Sequence, residues 1–413
     1  MSNHTPSTLL PWQHSQFKRL QMLASNDRLA HGWLFSGKPG IGKLGFARHF
    51  ARFLLCRHSD ANGPCGRCQD CQLHAARSHP DSLLVLPEAL QQQLFPDDNT
   101  KTKEKPSRQL KIEQIRDAIE FAQSTAQRGG TKVIVINPAE AMNINSANAL
   151  LKILEEPPAR TFLLLVSEQP GLLLATLRSR CQQLGFTAPP TTEALQWLQT
   201  QPGCPTDAEF YLQLAEGAPL HALKLAADKA GVGFRQLWQS ILAVCSGDMT
   251  PVQAAKACEG LGILNAVNYQ LIGVAGLLVS NQTGTTLTLD GLQPLQALCP
   301  PSAGIGMIRR LHGLHRSLVQ ARITALATNN ANALLMLESL FAEWATVTAV
   351  KPASKSSETS SRSARLRMRS DWSMAIRGTK KPPTFKRRFQ MVDLTGLEPV
   401  TFSMSTKRSN QLS

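Results

Sequence analysis

The sequence predicts an α/β domain built on a parallel sheet, followed by a small helical domain, an all-helical domain and a basic, disordered C-terminal tail. Residues 1–188 alternate apolar runs with helical patterns, as a parallel α/β sheet does. From residue 189 to 230, and again from 231 to 350, apolar positions recur three and four apart, as in packed helices. Residues 351–413 are rich in Ser, Arg and Lys without apolar periodicity, so they cannot bury enough surface to fold.

Three apolar runs are the clearest strand candidates of the α/β domain. They are HGWLF at 31–35, KVIVIN at 132–137 and TFLLLVS at 161–167. Their continuous apolar character is typical of strands that are buried on both faces of a parallel sheet. The segment SANALLKILEEPP, between the second and third runs, predicts a helix that begins near Ser146 and ends at the proline pair 157–158.

A glycine-rich loop follows the first strand candidate and precedes a helical pattern. The segment GKPGIGKL, residues 37–44, has the spacing of a phosphate-binding loop, and it lies between a strand and a helix as such a loop requires. Leu44 occupies the position where these loops place a magnesium-binding hydroxyl group. We therefore expect a degenerate nucleotide loop with weak or absent ATP binding. Its candidate residues are Gly37, Gly40, Gly42 and Lys43.

The strand KVIVIN lacks the acidic pair that ends the corresponding strand of an ATPase. One carboxylate of that pair holds magnesium, and the next polarises the attacking water. Asn137 and Pro138 stand at those positions, where Asn supplies no charge and Pro cannot act as a base. The sequence thus predicts no intrinsic ATPase activity, while the retained Lys43 leaves weak nucleotide binding open.

Four crowded cysteines form the candidate metal site, and they are Cys56, Cys65, Cys68 and Cys71. An odd total of nine cysteines and an amino terminus without an export signal disfavour a disulfide framework. Two-residue spacings let a tight turn aim two thiolates at one ion, and Gly66 permits the positive φ that such turns favour. We predict a structural zinc site closed by four sulfurs, with His74 and His79 as much weaker alternative ligands.

A short motif after a predicted helix supplies the candidate catalytic arginine. The segment TLRSRCQQLGF contains Ser179, Arg180 and Cys181. A guanidinium at such an edge can reach a neighbouring subunit's γ-phosphate and stabilise the charge of the transition state in trans. Taken alone, an exposed arginine is more often an ordinary solvated surface residue, so this role depends on the other motifs found in the same sequence.

Charge and hydropathy restrict the classes of function. The net charge is +15, but residues 351–413 contribute +10 of it, so the first 350 residues carry only +5. Basicity is therefore mainly a property of the tail.

The amino terminus has no pattern of a signal peptide, and the longest apolar run, residues 271–279, is about half a membrane span. We expect a cytoplasmic protein without a membrane partner, and we hypothesise that the last part of the tail is a non-native extension from a shifted reading frame.

Taken together, the glycine loop, the four-cysteine insert, NALLKILEEPP and LRSRC closely resemble the delta-prime subunits of bacterial DNA polymerase III clamp loaders, within the AAA+ family. The resemblance covers about residues 10–345, and the order of four separate motifs makes it specific. It implies an AAA+ domain with a zinc module at 56–71, a helical lid and a helical collar that joins the subunits. It also implies a component of the DNA polymerase holoenzyme, a nucleotidyltransferase.

The resemblance further implies a stator in a ring of five subunits with delta and gamma/tau partners, which loads a sliding clamp on primed DNA. By this resemblance Arg180 is the trans-acting arginine finger, flanked by Ser179 and Cys181. A motor subunit carries a lid arginine where this chain has Leu220.

Two alternatives stay open at this point. An active gamma/tau-like motor would need carboxylates near Asn137 and a hydroxyl at position 44. A zinc-dependent DNA-binding module would need basic charge around the cysteines. That window has Arg57 and Arg67 with two aspartates close by, so it lacks the charge expected of a DNA-binding surface.

Overall fold

The computed structural model describes residues 9–96, 106–287, 289, 292–300, 304–327 and 332–348. All of these lie in one compact unit, residues 1–349. The predicted tail, residues 351–413, lies outside the described residues, and so does the segment that we take for a non-native extension.

Five parallel strands form the sheet of the α/β part, in the spatial order β2-β3-β4-β1-β5. The strands are β1 (Gly32–Gly37), β2 (Ser82–Val85), β3 (Lys132–Ile136), β4 (Thr161–Ser167) and β5 (Gln182–Phe186). The three strands predicted from apolar runs are β1, β3 and β4, which occupy the centre of the sheet. Every residue of β3 is buried, as expected for a strand covered on both faces.

Seven helices accompany the sheet. They are α1 (His14–Ser25), α2 (Lys43–Leu55), α3 (Gln69–Ala75), α4 (Glu88–Leu94), α5 (Ile112–Gln123), α6 (Ile144–Glu155) and α7 (Ala175–Arg180). Helix α6 begins two residues before the expected Ser146, because the Asn143 side chain accepts the Ser146 N–H at 2.8 Å and caps the helix there. It ends at Glu155, just before the proline pair.

The sheet separates two hydrophobic cores. Because successive side chains of a strand point to opposite faces, Phe35 packs with α1 and α2 while its neighbour Leu34 packs with α5 and α6. The first of these cores also takes in side chains of three short helices that follow the sheet, α8 (Thr191–Gln199), α9 (Ala208–Leu214) and α10 (Pro219–Ala227). These helices thereby cover the side of the sheet on which the glycine loop lies.

A third core belongs to the helices that end the described chain. They are α11 (Ala230–Ser246), α12 (Pro251–Cys258), α13 (Ile263–Thr283), α14 (Gln293–Leu298), α15 (Gly304–Ala327) and α16 (Ala333–Thr348). Trp238 and Trp344 meet edge to face at its centre, with ring centroids 5.6 Å apart. The Trp344 indole N–H donates to Gln270 Oε1 at 2.8 Å, which satisfies both buried polar atoms.

Helix α13, with 21 residues, is the one described helix long and apolar enough to cross a membrane by length and composition, and an apolar window of 18 residues within it has a mean hydropathy of 1.5. It contains the apolar run 271–279 and extends it in both directions, so the run is part of a longer element than its length indicated. Half of the apolar window is buried inside the helical core, as in core helices of soluble proteins.

Candidate functional site

The glycine loop folds as a phosphate loop does, with glycines in conformations that other residues avoid. Gly40 and Gly42 have φ values of +73° and +95°, and Gly42 directly precedes helix α2. A Cβ atom on Gly40 would lie 2.4 Å from the Cβ of His221, and one on Gly42 would lie 2.4 Å from Leu10 Cδ1. These contacts come from the N-terminal segment and from α10, so the chain itself packs closely on the loop.

The carbonyl groups of the loop are bound within the same chain. Trp12 Nε1 and Gln13 Nε2 both donate to the Ile41 carbonyl, at 3.0 and 3.1 Å, and Gln13 Nε2 also lies 3.1 Å from the Gly42 carbonyl. The Leu220 N–H donates to the Gly40 carbonyl at 3.1 Å. The loop is therefore fixed by hydrogen bonds on two sides without any ligand.

Lys43 turns inward to its own loop. Its side chain is almost fully buried, and Nζ donates to the Lys38 carbonyl at 2.6 Å. Burial lowers the pKa of Lys43, while the carboxylates of Glu168 and Glu140 act in the opposite direction. The amine that would reach the phosphates of a nucleotide thus has a carbonyl partner in the loop.

Two carboxylates near Lys43, those of Glu140 and Glu168, were not among the predicted site residues. Glu140 follows Pro138 by two residues, and its Oε1 accepts the backbone N–H groups of Glu168 and Gln169 at 2.8 and 3.1 Å. Burial raises the pKa of Glu168, with Lys43 opposing this shift and Glu140 adding to it. A search restricted to the acidic-pair positions misses both residues, but their places just beyond β3 and β4 are a signal, because the carboxyl ends of parallel strands share one edge of the sheet.

Three residues that differ from the pattern of an active ATPase lie close to the glycine loop or at the end of β3. Asn137 follows β3, and its N–H donates to the Val85 carbonyl at 3.1 Å. Leu44 is the second residue of helix α2 and packs against the core shared with α8–α10. Leu220 lies beside the loop, with Cδ1 at 3.4 Å from the position that a Cβ on Gly42 would take. No hydroxyl or carboxylate stands at these three positions.

The four cysteines come together between α2 and α3. The sulfur atoms of Cys56, Cys65, Cys68 and Cys71 all lie within 4.8 Å of one another, and none forms a disulfide. Cys56 Sγ and Cys68 Sγ are 3.8 Å apart. Zinc–sulfur bonds of about 2.3 Å put the corners of a sulfur tetrahedron about 3.8 Å apart, so the spacing fits a four-cysteine metal site. Neither His74 nor His79 belongs to the group.

Backbone N–H groups donate hydrogen bonds to three of the cysteine sulfurs, which stabilises the negative charge of a thiolate there. The N–H of Cys65 points to Cys56 Sγ, that of Cys68 to Cys65 Sγ and that of Cys71 to Cys68 Sγ, each at 3.4 Å. Hydrogen bonds from the backbone at Arg67 and Cys68 lower the pKa of the Cys65 thiol to about 6, whereas burial raises that of Cys56 to about 12. A bound cation would hold all four sulfurs deprotonated.

The cysteine module is fixed to the sheet through Asp70. This buried carboxylate lies 2.6 Å from Arg128 Nε and 3.2 Å from Arg57 Nε. The backbone N–H of Arg128 in turn donates to Asp81 Oδ2 at 2.8 Å, just before β2. Arg57 is thus engaged with an acidic partner, which agrees with the weak basic character of this window in the sequence.

The three residues of the predicted arginine motif have separate environments. Cys181 is buried beside β1, and burial raises the pKa of its thiol to about 12. Ser179 Oγ donates to the Thr176 carbonyl at 3.0 Å at the end of α7. Arg180 points outward, with 35% of its side chain exposed. Its Nη1 donates to the same carbonyl at 2.9 Å, and its Nη2 lies 2.5 Å from Glu155 Oε1. Ser179 and Arg180 are both exposed, and Arg180 is the one that carries the charge to bind a phosphate of another molecule.

The parallel sheet with β1 between β4 and β5, the glycine loop after β1 and the helical parts that follow define an AAA+ protein. A family model described as "DNA polymerase III, delta subunit" matches residues 12–190. DNA polymerase III subunit delta' of Pseudomonas aeruginosa is 33% identical over 341 residues, which is 82% of this chain and 98% of that relative. The chain belongs to the family of DNA polymerase III delta-prime subunits.

Other relatives include both kinds of subunit. DNA polymerase III subunit delta' of Escherichia coli is 33% identical over 247 residues, covering 59% of this chain and 69% of the relative. DNA polymerase III subunit tau/gamma of Haemophilus influenzae is 31% identical over 223 residues, covering 52% and 30%. A gamma subunit-related protein from Thermotoga maritima matches 82% of this chain and all of its own chain, at 18% identity and a TM-score of 0.38. The related delta' and tau/gamma subunits point to a clamp-loader complex with several subunits.

Proposed function

We propose that this chain is the ATPase-inactive stator of a bacterial clamp loader, which completes the ATP site of a neighbouring motor subunit. The observation that carries the proposal is that the chain's own residues contact the glycine loop where a nucleotide would bind. The amine of Lys43 is bound to the Lys38 carbonyl, and the loop carbonyls at 40–42 accept hydrogen bonds from the chain's own residues. The phosphates of a nucleotide would have to draw the Lys43 amine away from the Lys38 carbonyl, and the positions that supply magnesium ligands in a motor would not compensate for that loss.

Arg180 is the residue of this chain that acts in the reaction. The neighbour's nucleotide supplies the γ-phosphate, and the guanidinium would stabilise the charge that develops on its oxygens during transfer to water. Support comes from its exposure at the end of α7 and from the remaining N–H donors beyond those that bind Glu155 and Thr176. A planar fork of donors matches phosphate oxygens in a way that a lysine cannot.

The four cysteines would hold one structural Zn²⁺ ion. Four thiolates leave no open coordination position, so the metal supplies folding energy to residues 56–71 and no chemistry. A DNA-binding role for this module is disfavoured, since Asp70 pairs with both Arg57 and Arg128.

The assembly we propose is a five-membered ring of this chain with delta and gamma/tau subunits in the cytoplasm, acting on a sliding clamp and primed DNA. The helices α11–α16 would form the collar contacts, the residues 189–230 the lid, and residues 1–188 the AAA+ domain. The family relationship to both delta-prime and tau subunits supports these partners.

The test is a complex reconstituted with wild-type chain or with Arg180→Ala. We expect normal assembly by gel filtration and a clearly lower DNA-stimulated ATPase rate and clamp loading. The loss at one site can reach roughly 10³-fold or more, but the whole complex should lose less, because the other sites remain. Arg180→Lys should rescue poorly. Arg116→Ala removes an exposed arginine of α5 as a matched control. An unchanged ATPase rate with Arg180→Ala would assign this arginine to ordinary surface.

A further inference from the structure

A polar groove of about 610 Å³ lies between α15 and α16, away from the glycine loop, the cysteines and Arg180. Helix α15 carries four arginines and two histidines but no acidic residue in 24 positions. The polar side chains that line the groove are Arg310, Arg316, Ser317, Gln320, Glu343 and Thr346. Gly313, between the two arginines, leaves the floor open because it has no side chain.

Both arginines of the groove are available to a ligand. Among the described residues, neither Arg310 nor Arg316 forms an ion pair, and both are exposed. The Arg310 guanidinium makes one weak contact, 4.0 Å from Met307 Sδ. Arg316 lies six positions after Arg310 in the helix, which is about 9 Å along the axis. They can therefore contact two different anionic groups.

We propose that this groove binds the phosphate backbone of single-stranded DNA. Arginine side chains together with hydroxyl and amide donors are the groups that bind phosphate oxygens and position a nucleic acid without reading its bases. The apolar lining residues Leu314 and Val347 are almost fully buried, so the groove offers no pocket for the apolar anchors that a protein segment uses.

The position of the groove favours a single strand over a duplex. A flexible single strand can follow the cleft between α15 and α16 and bring successive phosphates to both arginines, whereas a rigid duplex would contact only its rim. No exposed aromatic side chain lines the groove, so bases do not stack there and binding is independent of sequence. Glu343 faces the same groove and opposes the binding of phosphate.

Salt dependence of binding separates this site from other basic parts of the chain. A fluorescent oligo-dT strand is titrated with the full-length chain between 50 and 200 mM salt, and every variant keeps the basic residues after 350. Each phosphate contact on a single strand contributes about 0.7 to the slope of log K against log salt. Arg310→Ala with Arg316→Ala should therefore reduce the slope by about 1.4. Over this fourfold salt range, wild type should lose about sevenfold more affinity than the double variant.

The matched control removes the same charge from the same helix. Arg309→Ala with Arg322→Ala changes two exposed arginines that do not line the groove, and it should keep the wild-type slope. Glu343→Gln should tighten binding by about two- to fivefold, since it removes one opposing charge. A duplex of the same length should compete less well than the single strand.

Three results would overturn the proposal. The first is an unchanged slope in the groove variant, and the second is an equal loss in the groove and control variants, which would mean general attraction to a basic helix. The third is normal DNA binding by the groove variant combined with failed assembly of the clamp-loader complex, which would assign the groove to an acidic surface of another subunit.

Discussion

The Arg180 guanidinium and the Glu155 carboxylate form an ion pair within one chain, joining the ends of α7 and α6 at 2.5 Å. Both side chains are partly exposed, at 35% and 50%. The pair and the Thr176 carbonyl together fix the position of the guanidinium at the edge of the α/β part. If Arg180 acts on a neighbour's phosphate, Glu155 is the residue that positions it.

Removing the carboxylate should weaken that positioning. In the reconstituted complex, Glu155→Ala is expected to lower the ATPase kcat by up to about fivefold, because an exposed ion pair is worth only about 0.2–1 kcal/mol. Glu155→Gln should lose less, since an amide oxygen still accepts a hydrogen bond. Glu156→Ala is the matched control, an adjacent exposed glutamate. A faster complex with Glu155→Ala would mean that Glu155 restrains the arginine instead of positioning it.

The purified chain should neither bind nor hydrolyse ATP. Lys43 has a carbonyl partner and no magnesium ligand stands at position 44, so calorimetry with ATP and Mg²⁺ is expected to show no binding heat. Leu44→Ser alone should not create turnover, because Asn137 and Pro138 remain. The decisive control is Lys43→Ala: turnover that copurifies with wild type and vanishes in this variant would contradict an inactive loop.

The cysteine cluster should contain one zinc ion per chain. Cys68→Ser is expected to reduce the metal content from about one to about zero equivalents and to make residues 56–71 sensitive to protease, because the remaining thiolates lose their common cation. Plasma mass spectrometry and limited proteolysis measure the two effects. Cys204→Ser, which changes a cysteine outside the cluster, should keep the metal. Equal metal content in both variants would argue against a four-cysteine site.

The contact of α10 with the glycine loop should weaken in acid. Burial lowers the pKa of His221, with Lys224 acting in the same direction and the carboxylates of Glu216 and Asp228 against it. The unfolded chain therefore takes up the proton first, and stability that is present above about pH 6.5 falls as the pH drops below that value. Thermal unfolding of wild type and His221→Gln between pH 7.5 and 5.5 measures this. The difference between them should change with pH in that direction, and a constant difference would exclude the effect.

The central strands could be predicted from sequence, but the edge strands could not. Strands β1, β3 and β4 are covered on both faces and therefore appear as continuous apolar runs. Strand β2 has four residues at one edge, and β5 at the other edge exposes three of its five residues, so neither forms a long apolar run. The signal that sequence reading depends on is weakest where a strand is least buried.

The site divides in a similar way. Cys65, Cys68 and Cys71 are separated by two residues each, so local turn geometry brings them together and their spacing predicts it. The contacts of Gln13 with the loop, of Glu155 with Arg180 and of Glu140 beyond β3 depend on the folding of distant segments. No spacing within one segment encodes such contacts, and they appear only in the structure.

The close packing on Gly40 and Gly42 has an evolutionary consequence. Any larger residue there would collide with Leu10 or His221, whether or not a nucleotide is ever bound. Purifying selection can thus preserve the glycine signature through packing alone, whether or not the loop is used in catalysis. In proteins of this kind, motif scanners that score the glycines measure a steric constraint, and genome surveys of ATPases should weigh the magnesium ligands instead.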